Sequence, residues 1–416
     1  MKARRITSFF ESIKDSNLGR ILVFTGARQT GKTTLVKNIF PEFTYISIED
    51  PVLRGEYLKM TAAQWNLLYP RAILDEIQKE PTLIESIKSV YDQWEEPRFV
   101  LLGSSQLLLM KQVNESLAGR CIITDMYPLT LPELATDDWN DEIIDSFFQQ
   151  TYINPSDYQA YYPSFLLDKR MPEKKRAWDH YLKFGAYPSL TESSMTDENR
   201  YLWLHNYVRT YLERDVRDLA SFRDLEPFIK LQKVIAINTG NLINASALAT
   251  QIGLSAKTVQ RYIQYLELSY QTINLPSWER NSSKRLVKAS KIHYLDNGVL
   301  QAVLQKRGGI TGQEFESLVI AEIFKQTKTL QKPASFYHLR TQDGKEVDLL
   351  IEFPDGYFAF EIKMTEHVTK TDARHLKNLE DILDKPVLKA FILSNDLSTS
   401  YFDDNIIAIN AAMFLG

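Results

Sequence analysis

From Arg20 to Val36 the chain reads R-I-L-V-F-T-G-A-R-Q-T-G-K-T-T-L-V, with G-x-x-x-x-G-K-T running from Gly26 to Thr33. These residue types at this spacing suit the holding of a polyphosphate. Gly26 and Gly31 let the backbone curl so that its N–H groups face a β-phosphate, and Ala27, Arg28, Gln29 and Thr30 supply the wall of the curl. A helix starting behind the loop adds its positive end. Lys32 reaches the β- and γ-phosphates as a point charge, the Thr33 hydroxyl ligates Mg²⁺, and Thr34 completes the binding set. Downstream, R-A-I-L-D-E-I-Q (Arg71–Gln78) ends an apolar run in two acids. Asp75 is expected to hold Mg²⁺ through water. Glu76 is expected to orient or deprotonate the attacking water. The alternative is a strand ending in two solvated acids. Two further candidates follow. Ser104, at the end of F-V-L-L-G-S-S, is placed to touch the γ-phosphate or the water. Arg120, in S-L-A-G-R, is placed to stabilise γ-phosphate charge in its own site or a neighbouring subunit's. A plain strand end and a surface ion pair are the alternatives for these two.

A second constellation lies near the other end of the sequence. Glu316 falls in a helical stretch, Asp348 ends the acid-bearing part of one strand pattern, and Glu361-Ile362-Lys363 lies in the next. Alternation places Glu361 and Lys363 on one strand face. An acid on one strand and E-x-K on its neighbour is the arrangement of the PD-(D/E)XK nuclease fold. On that reading Glu316, Asp348 and Glu361 are metal ligands, and Asp348, Glu361 and Lys363 are catalytic, with Lys363 positioning a water against a phosphodiester. Glu322, six positions beyond Glu316, lies about 600° further around the helix, so the two cannot face one metal. The alternative is a pair of edge strands blunted by charge.

These groups need elements to position them. Apolar runs at Ile21–Phe24, Thr44–Ile48, Arg71–Leu74 and Phe99–Leu102 alternate with amphipathic stretches, as in an α/β sheet domain. The strand at Thr44–Ile48, between phosphate loop and acids, favours the ATPase branch that has such an extra strand. The middle, from about Ala135 to Leu275, has helical periodicity. Within it, Leu242–Leu268 suits a helix-turn-helix. Ser246–Ile252 meets a turn at Gly253, Ser255 caps the next helix, and Val259, Ile263 and Leu266 form its apolar stripe. Lys257, Gln260, Arg261 and Gln264 face away, where they would meet phosphates and base edges, with Arg280–Lys291 as a basic wing. A lid or protein-contact module is the alternative. From about Gln313 a helix and then strand–turn–strand patterning suggest a further α/β domain.

The motifs G-A-R-Q-T-G-K-T-T-L, Y-I-S-I-E-D, A-I-L-D-E-I-Q, L-L-G-S-S, L-A-G-R and Y-P-L-T-L-P-E-L, with F-G-A-Y-P-S-L, Y-L-E-R-D-V, Y-L-D-N-G-V and G-K-E-V-D-L-L-I-E further on, resemble a prokaryotic family of AAA-type ATPases. In that family the ATPase module precedes a C-terminal domain of unknown function. The resemblance spans nearly the whole chain. It implies ATP and Mg²⁺ as cofactors, with the later motifs marking the family but no reaction.

Composition sets outer limits. At 416 residues, two or three domains are expected from length alone, and the motifs divide the chain into four parts. The division is 1–135 for the P-loop AAA-type domain, 136–240 for a helical lid region, 241–305 for a winged-helix-like unit and 306–416 for the nuclease-like domain. The net charge is -4, from 49 Lys and Arg against 53 Asp and Glu. That excludes a uniformly basic nucleic-acid binder. The charge is uneven, with seven basic against two acidic residues from Ala245 to Leu295, and eleven against seventeen from Thr311 on. Cys121 is the lone cysteine, so no intrachain disulfide forms. The longest apolar stretch, Phe99–Met110, is too short for a membrane span, and no apolar run follows the basic start. The expectation is a cytoplasmic, non-membrane α/β protein. Its expected function is Mg²⁺-dependent ATP hydrolysis coupled to nucleic-acid binding or processing, with DNA as partner. The rival expectation is an ATP-dependent switch that binds a protein partner or a second copy, with an inactive C-terminal interaction domain.

Overall fold

Strand β1 (Ile21–Gly26) is apolar and buried on both faces, as a central strand of a parallel sheet must be. Its alternate residues serve two cores. Ile21 and Val23 join one with Trp65, Leu83 and Ile87, and Leu22 and Phe24 join the other with Phe10, Leu35 and Val36. The computed structural model describes residues 1–416 apart from 104–112, 114, 156–161, 213–224, 282–287 and 404. Around β1 lie β2 (Thr44–Ser47), β3 (Arg71–Asp75), β4 (Arg98–Leu102) and β5 (Ile122–Met126), in the order β2-β3-β4-β1-β5, every pair parallel. Helices α1 (Ile6–Ile13) and α2 (Lys32–Ile39) cover one face, and α3 (Pro51–Lys59), α4 (Ala62–Leu68) and α5 (Thr82–Gln93) belong to the other side. The register pairs Gly26 with Met126 and Leu22 with Ile122, so β1 and β5 end together at the phosphate loop.

Beyond β5 come short helices α6 (Leu131–Leu134) and α7 (Phe147–Ile153), then α8 (Met171–Phe184) and α9 (Asp197–Tyr207), the last running into a π-helical turn at Val208–Leu212. The Tyr211–Val216 motif lies partly outside the described residues. Helix α10 (Glu226–Ile237) precedes the helix pair α11 (Ala245–Ile252) and α12 (Ala256–Leu268). Gly253 joins these two in a left-handed turn, and the Ser255 hydroxyl caps α12 by accepting from Thr258 N–H at 3.1 Å. Val259, Tyr262 and Leu266 are buried, while Lys257, Gln260, Arg261 and Gln264 are exposed. An antiparallel pair, β6 (Thr272–Leu275) and β7 (Lys291–Tyr294), and helix α13 (Asn297–Val303) complete this region.

The long helix α14 (Gly312–Thr329) leads into a mixed six-stranded sheet. Its strands are β8 (Ser335–Arg340), β9 (Glu346–Glu352), β10 (Tyr357–Lys363), β11 (Val387–Ser394), β12 (Ser400–Asp403) and β13 (Ile406–Asn410), in the order β12-β13-β11-β10-β9-β8. Helix α15 (Ala411–Leu415) closes it. α7 and α8 do not stand apart as a lid. Phe148, Tyr152, Trp178 and Tyr181 share one core with Phe315, Phe360, Phe391 and Phe414 of the terminal sheet. Two buried ions fix α14 to the segment after β5. Lys325 pairs with Glu322 at 2.8 Å, both fully buried. Lys325 also donates to the Leu129 carbonyl, and Glu322 accepts from Leu131 N–H at 2.6 Å. Glu322 thus points away from Glu316. Among the described residues, no helix is long and apolar enough to cross a membrane.

His180 on α8 is partly buried, and its buried Nε2 finds no hydrogen-bond partner among the described residues. Burial, reinforced by Arg200 and Lys2, pulls its pKa down from 6.5 to about 4. Folding then favours the neutral ring. Its stabilisation is full above pH 6.5 and is lost as pH falls towards 4, by roughly 2 kcal/mol at pH 5. Thermal unfolding of parent and His180→Gln at pH 7 and pH 5 should show a smaller acid-induced loss of midpoint in the variant. Equal losses would remove His180 from the account.

Candidate functional site

The phosphate loop is built by two backbone conformations. Gly26 has φ 143°, and a Cβ there would lie 2.2 Å from the Met126 carbonyl oxygen on the adjacent strand. Gly31, with φ 92°, caps α2 in the left-handed region. Gln29, in the same region at φ 63°, turns the chain between them. Thr30 is buried, its hydroxyl donating to the Ala27 carbonyl at 2.8 Å. Lys32 donates to the carbonyls of Gly26 and Ala27 at 2.7 and 2.8 Å, which holds its ammonium over the loop mouth.

β3 lies two strands from β1 and delivers its acids to the same end of the sheet. Asp75 is 8% exposed. Its Oδ2 accepts from the Thr33 hydroxyl at 2.8 Å and from the Tyr45 hydroxyl at 2.9 Å, and its Oδ1 accepts from Glu76 N–H at 3.0 Å. Burial and Asp75 push the Tyr45 phenol well above its ordinary pKa, so it stays a donor. The Thr33–Asp75 pair brings together an alcohol and a carboxylate, the oxygen donors that a Mg²⁺ bound with phosphates uses. Glu76 sits in the left-handed region at φ 57°, a conformation uncommon for a residue with a side chain. Its carboxylate accepts from Gln78 and lies 4.0 Å from the Arg28 guanidinium.

A cavity of about 780 Å³ opens over these groups. Its floor is Arg28–Thr34 with Asp75 and Glu76, and its rim comes from Met1, Lys2 and Arg4 and from Pro188–Ser193. The size suits a nucleoside triphosphate. Sequence reasoning missed Tyr45 and both rim segments. Alternation along β2 pairs Ser47 with Asp75 and leaves Tyr45 two residues away, which is a usable signal, whereas the rim carries none before the fold is known.

One expected member is not in this assembly. Arg120 precedes β5, whose first residues pair with the start of β1, about 13 Å of strand from the loop end. It forms an ion pair with Asp92 at 2.8 Å, near the end of α5. Contact with the γ-phosphate of its own site is therefore corrected. Ser104 lies outside the described residues. One link leaves the site. Thr25, just before Gly26, donates to Asp125 on β5, and the Tyr270 hydroxyl, two residues past α12, bonds both Asp125 at 2.6 Å and Thr25 at 2.8 Å.

Residues 18–135 match the family model described as an AAA domain. With the strand order and the loop geometry, that match gives the first sheet the fold of an AAA-type P-loop domain and supports ATP as its ligand. Residues 175–308 and 311–414 match two domains of unknown function, DUF8612 and DUF4143. The uncharacterized protein Rv2008c of Mycobacterium tuberculosis is 25% identical over 410 residues, which cover 95% of this chain and 81% of that protein. The uncharacterized protein MJ1544 of Methanocaldococcus jannaschii is 24% identical over 358 residues, covering 80% and 72%. Among solved structures, the Walker-type ATPase PABY2304 of Pyrococcus abyssi aligns at 14% identity over 72% of this chain and 94% of that one, with a TM-score of 0.43. The fold reading rests instead on the AAA match and the sheet order.

The terminal constellation is brought together, but not as a metal site. Glu316 of α14, Asp348 and Glu346 of β9 surround the ammonium of Lys291 from β7. Glu361 pairs with Lys363 at 2.7 Å. Burial, then the Asp348 charge, raises Glu316 to about 8 and Glu361 to about 7. Among the described residues no group of three His, Cys, Asp or Glu could hold a metal ion. The ligand set Glu316, Asp348 and Glu361 is corrected accordingly, because an internal cation already takes the carboxylate charge. The cleavage roles given to Asp348, Glu361 and Lys363 lose their metal with it. Lys291 also leaves the basic wing, being 4% exposed, and Lys288 is paired with Glu279.

Proposed function

We propose that the chain binds and hydrolyses Mg²⁺-ATP and uses the nucleotide state to control binding of nucleic acid by its central region. The observation that carries the first half is the Thr33–Asp75 bond at 2.8 Å, with Glu76 next to it, on the floor of one nucleotide-sized cavity. Loop N–H groups and Lys32 hold the β- and γ-phosphates. Thr33 and Asp75 hold Mg²⁺, which when bound offsets phosphate charge. Glu76 leaves its contact with Gln78 to accept the proton of a water that attacks the γ-phosphorus. The bond to the bridging oxygen breaks, giving ADP and inorganic phosphate. Mg²⁺-dependent phosphate release from ATP, lost on chelation with EDTA, tests this reading. Persistence of release in EDTA would refute it.

Support for the second half is local. The exposed face of α12 carries Lys257, Gln260, Arg261 and Gln264, with the exposed Glu267 one turn further on, and Tyr270 ties the end of α12 to the strand that carries the phosphate loop. Duplex DNA is the partner this face fits, through phosphate contacts from the two cations. In Lys257→Glu/Arg261→Glu, DNA affinity should fall at least about 10-fold at 0.1 M salt, and the slope of log affinity against log salt should flatten by about 2. ATP hydrolysis without DNA should be unchanged. Parental DNA binding in the double variant would favour a protein partner at this face. Phosphodiester cleavage is not part of the proposal, because Glu316 and Asp348 are paired with Lys291 and Glu361 with Lys363.

A further inference from the structure

Two cavities in the central region share no lining residue with the one over the phosphate loop. The smaller, of about 260 Å³, is mostly apolar, with Leu182 of α8, Tyr201 of α9 and Ile310 in its wall. The larger, of about 470 Å³, runs along α9. Gln301 of α13 stands in the wall of both. It is 4% exposed, and among the described residues neither its side-chain oxygen nor its nitrogen has a hydrogen-bond partner. Asn297, one turn earlier on the same helix face, donates to the Leu182 carbonyl at 2.5 Å and leaves its own oxygen unpartnered. The lysines, arginine and glutamate of these walls are all paired. Lys306 meets Glu314 at 2.8 Å, Arg307 meets Glu198 at 2.9 Å, and Lys183 meets Asp197. What is unanswered in these walls is therefore a neutral amide, not a charge. Buried polar groups are seldom left in that state, because losing water without gaining a partner is costly.

We propose that Gln301 is the recognition group of a second small-molecule site, and that its ligand is an uncharged ring compound bearing an amide. This goes beyond the ATPase and DNA-binding reading, which uses neither cavity. A primary amide presents a carbonyl acceptor and an N–H donor side by side. Its complement is a group with the same pair in reverse order, as in a carboxamide or a cyclic amide, and one such group satisfies both atoms of Gln301. The apolar wall at Leu182, Tyr201 and Ile310 takes the ring, and the smaller cavity has room for one ring. A charged ligand is disfavoured, because the ions of the wall already have partners.

The experiment is a ligand-observed NMR titration of the full-length chain with two probes, benzamide and methyl benzoate, beside thermal unfolding without ligand. Parent and Gln301→Met are compared, methionine keeping the length of the side chain without its polar atoms. The parent should bind benzamide saturably, with a Kd of about 1 mM or below. Methyl benzoate has the ring and the carbonyl but no N–H, so it should bind the parent at least about 10-fold more weakly. Gln301→Met should bind benzamide at least about 10-fold more weakly than the parent and no longer tell the two probes apart. Its unfolding midpoint should equal or exceed the parent's, since it removes a buried polar group that no other residue answers. Absence of benzamide binding by the folded parent would overturn the proposal, as would equal benzamide binding in parent and variant or equal binding of both probes by the parent. A lower midpoint in Gln301→Met, or its failure to fold, would show that the fold itself engages the amide, and would overturn the proposal as well.

Discussion

Glu76→Gln binds Mg²⁺-ATP with parental affinity and turns it over at least about 100-fold more slowly, the lower end of what a positioned general base contributes. The substitution keeps the side-chain length and the Cβ, so the left-handed backbone at φ 57° is no more strained than before. The amide still accepts a hydrogen bond through its oxygen, but it cannot take a proton from the attacking water. Asp75 and Thr33, the proposed Mg²⁺ ligands, are untouched, and Glu76 N–H still reaches Asp75. Single-turnover release of radiolabelled phosphate separates chemistry from product release. A rate within twofold of the parent would take the water-activating role away from Glu76.

Lys32→Ala has the opposite profile, with binding lost before chemistry is reached. The ammonium rests on the carbonyls of Gly26 and Ala27, at the point where the β- and γ-phosphates enter. Each charge-assisted hydrogen bond to phosphate is worth about 1.5–3 kcal/mol, so losing two costs about 3 kcal/mol or more, roughly 100-fold in Kd. The alanine stays in the first turn of α2, whose cap is backbone geometry at Gly31, so the fold is expected to survive. Calorimetric titration with ATP checks the loss, and circular dichroism checks the fold. Parental affinity in this variant would mean that the loop N–H groups alone hold the triphosphate.

The phosphate site was legible because its signal is local. Gly26, Gly31, Lys32 and Thr33 act within one loop, and only their short-range order is needed to read them. Asp75 and Glu76 were legible because a buried parallel strand exposes its polar residues at its end. Arg120 was misplaced because sequence shows an arginine near a strand but not which end of the sheet it occupies. That end is decided by the register of β5 on β1. The acid cluster was read as a metal site because Glu316, Asp348 and Glu361 do converge on neighbouring elements. The cation that answers Glu316 and Asp348 comes from Lys291, 25 residues before Glu316, on a strand of another region, while Glu361 pairs with Lys363. No periodicity or motif in K-I-H-Y announces a buried ammonium. Tyr45 and the rim at Pro188–Ser193 were hidden for the same reason, since tertiary packing alone gives them a place at the cavity.

The most direct test of the central claim is a calorimetric titration of the full-length protein with ATP in the presence of Mg²⁺, alongside Lys32→Ala. The account predicts saturable binding of one ATP per chain by the parent, weakened at least about 100-fold in the variant. A folded parent that takes up no ATP would contradict it, as would binding of equal strength in both proteins.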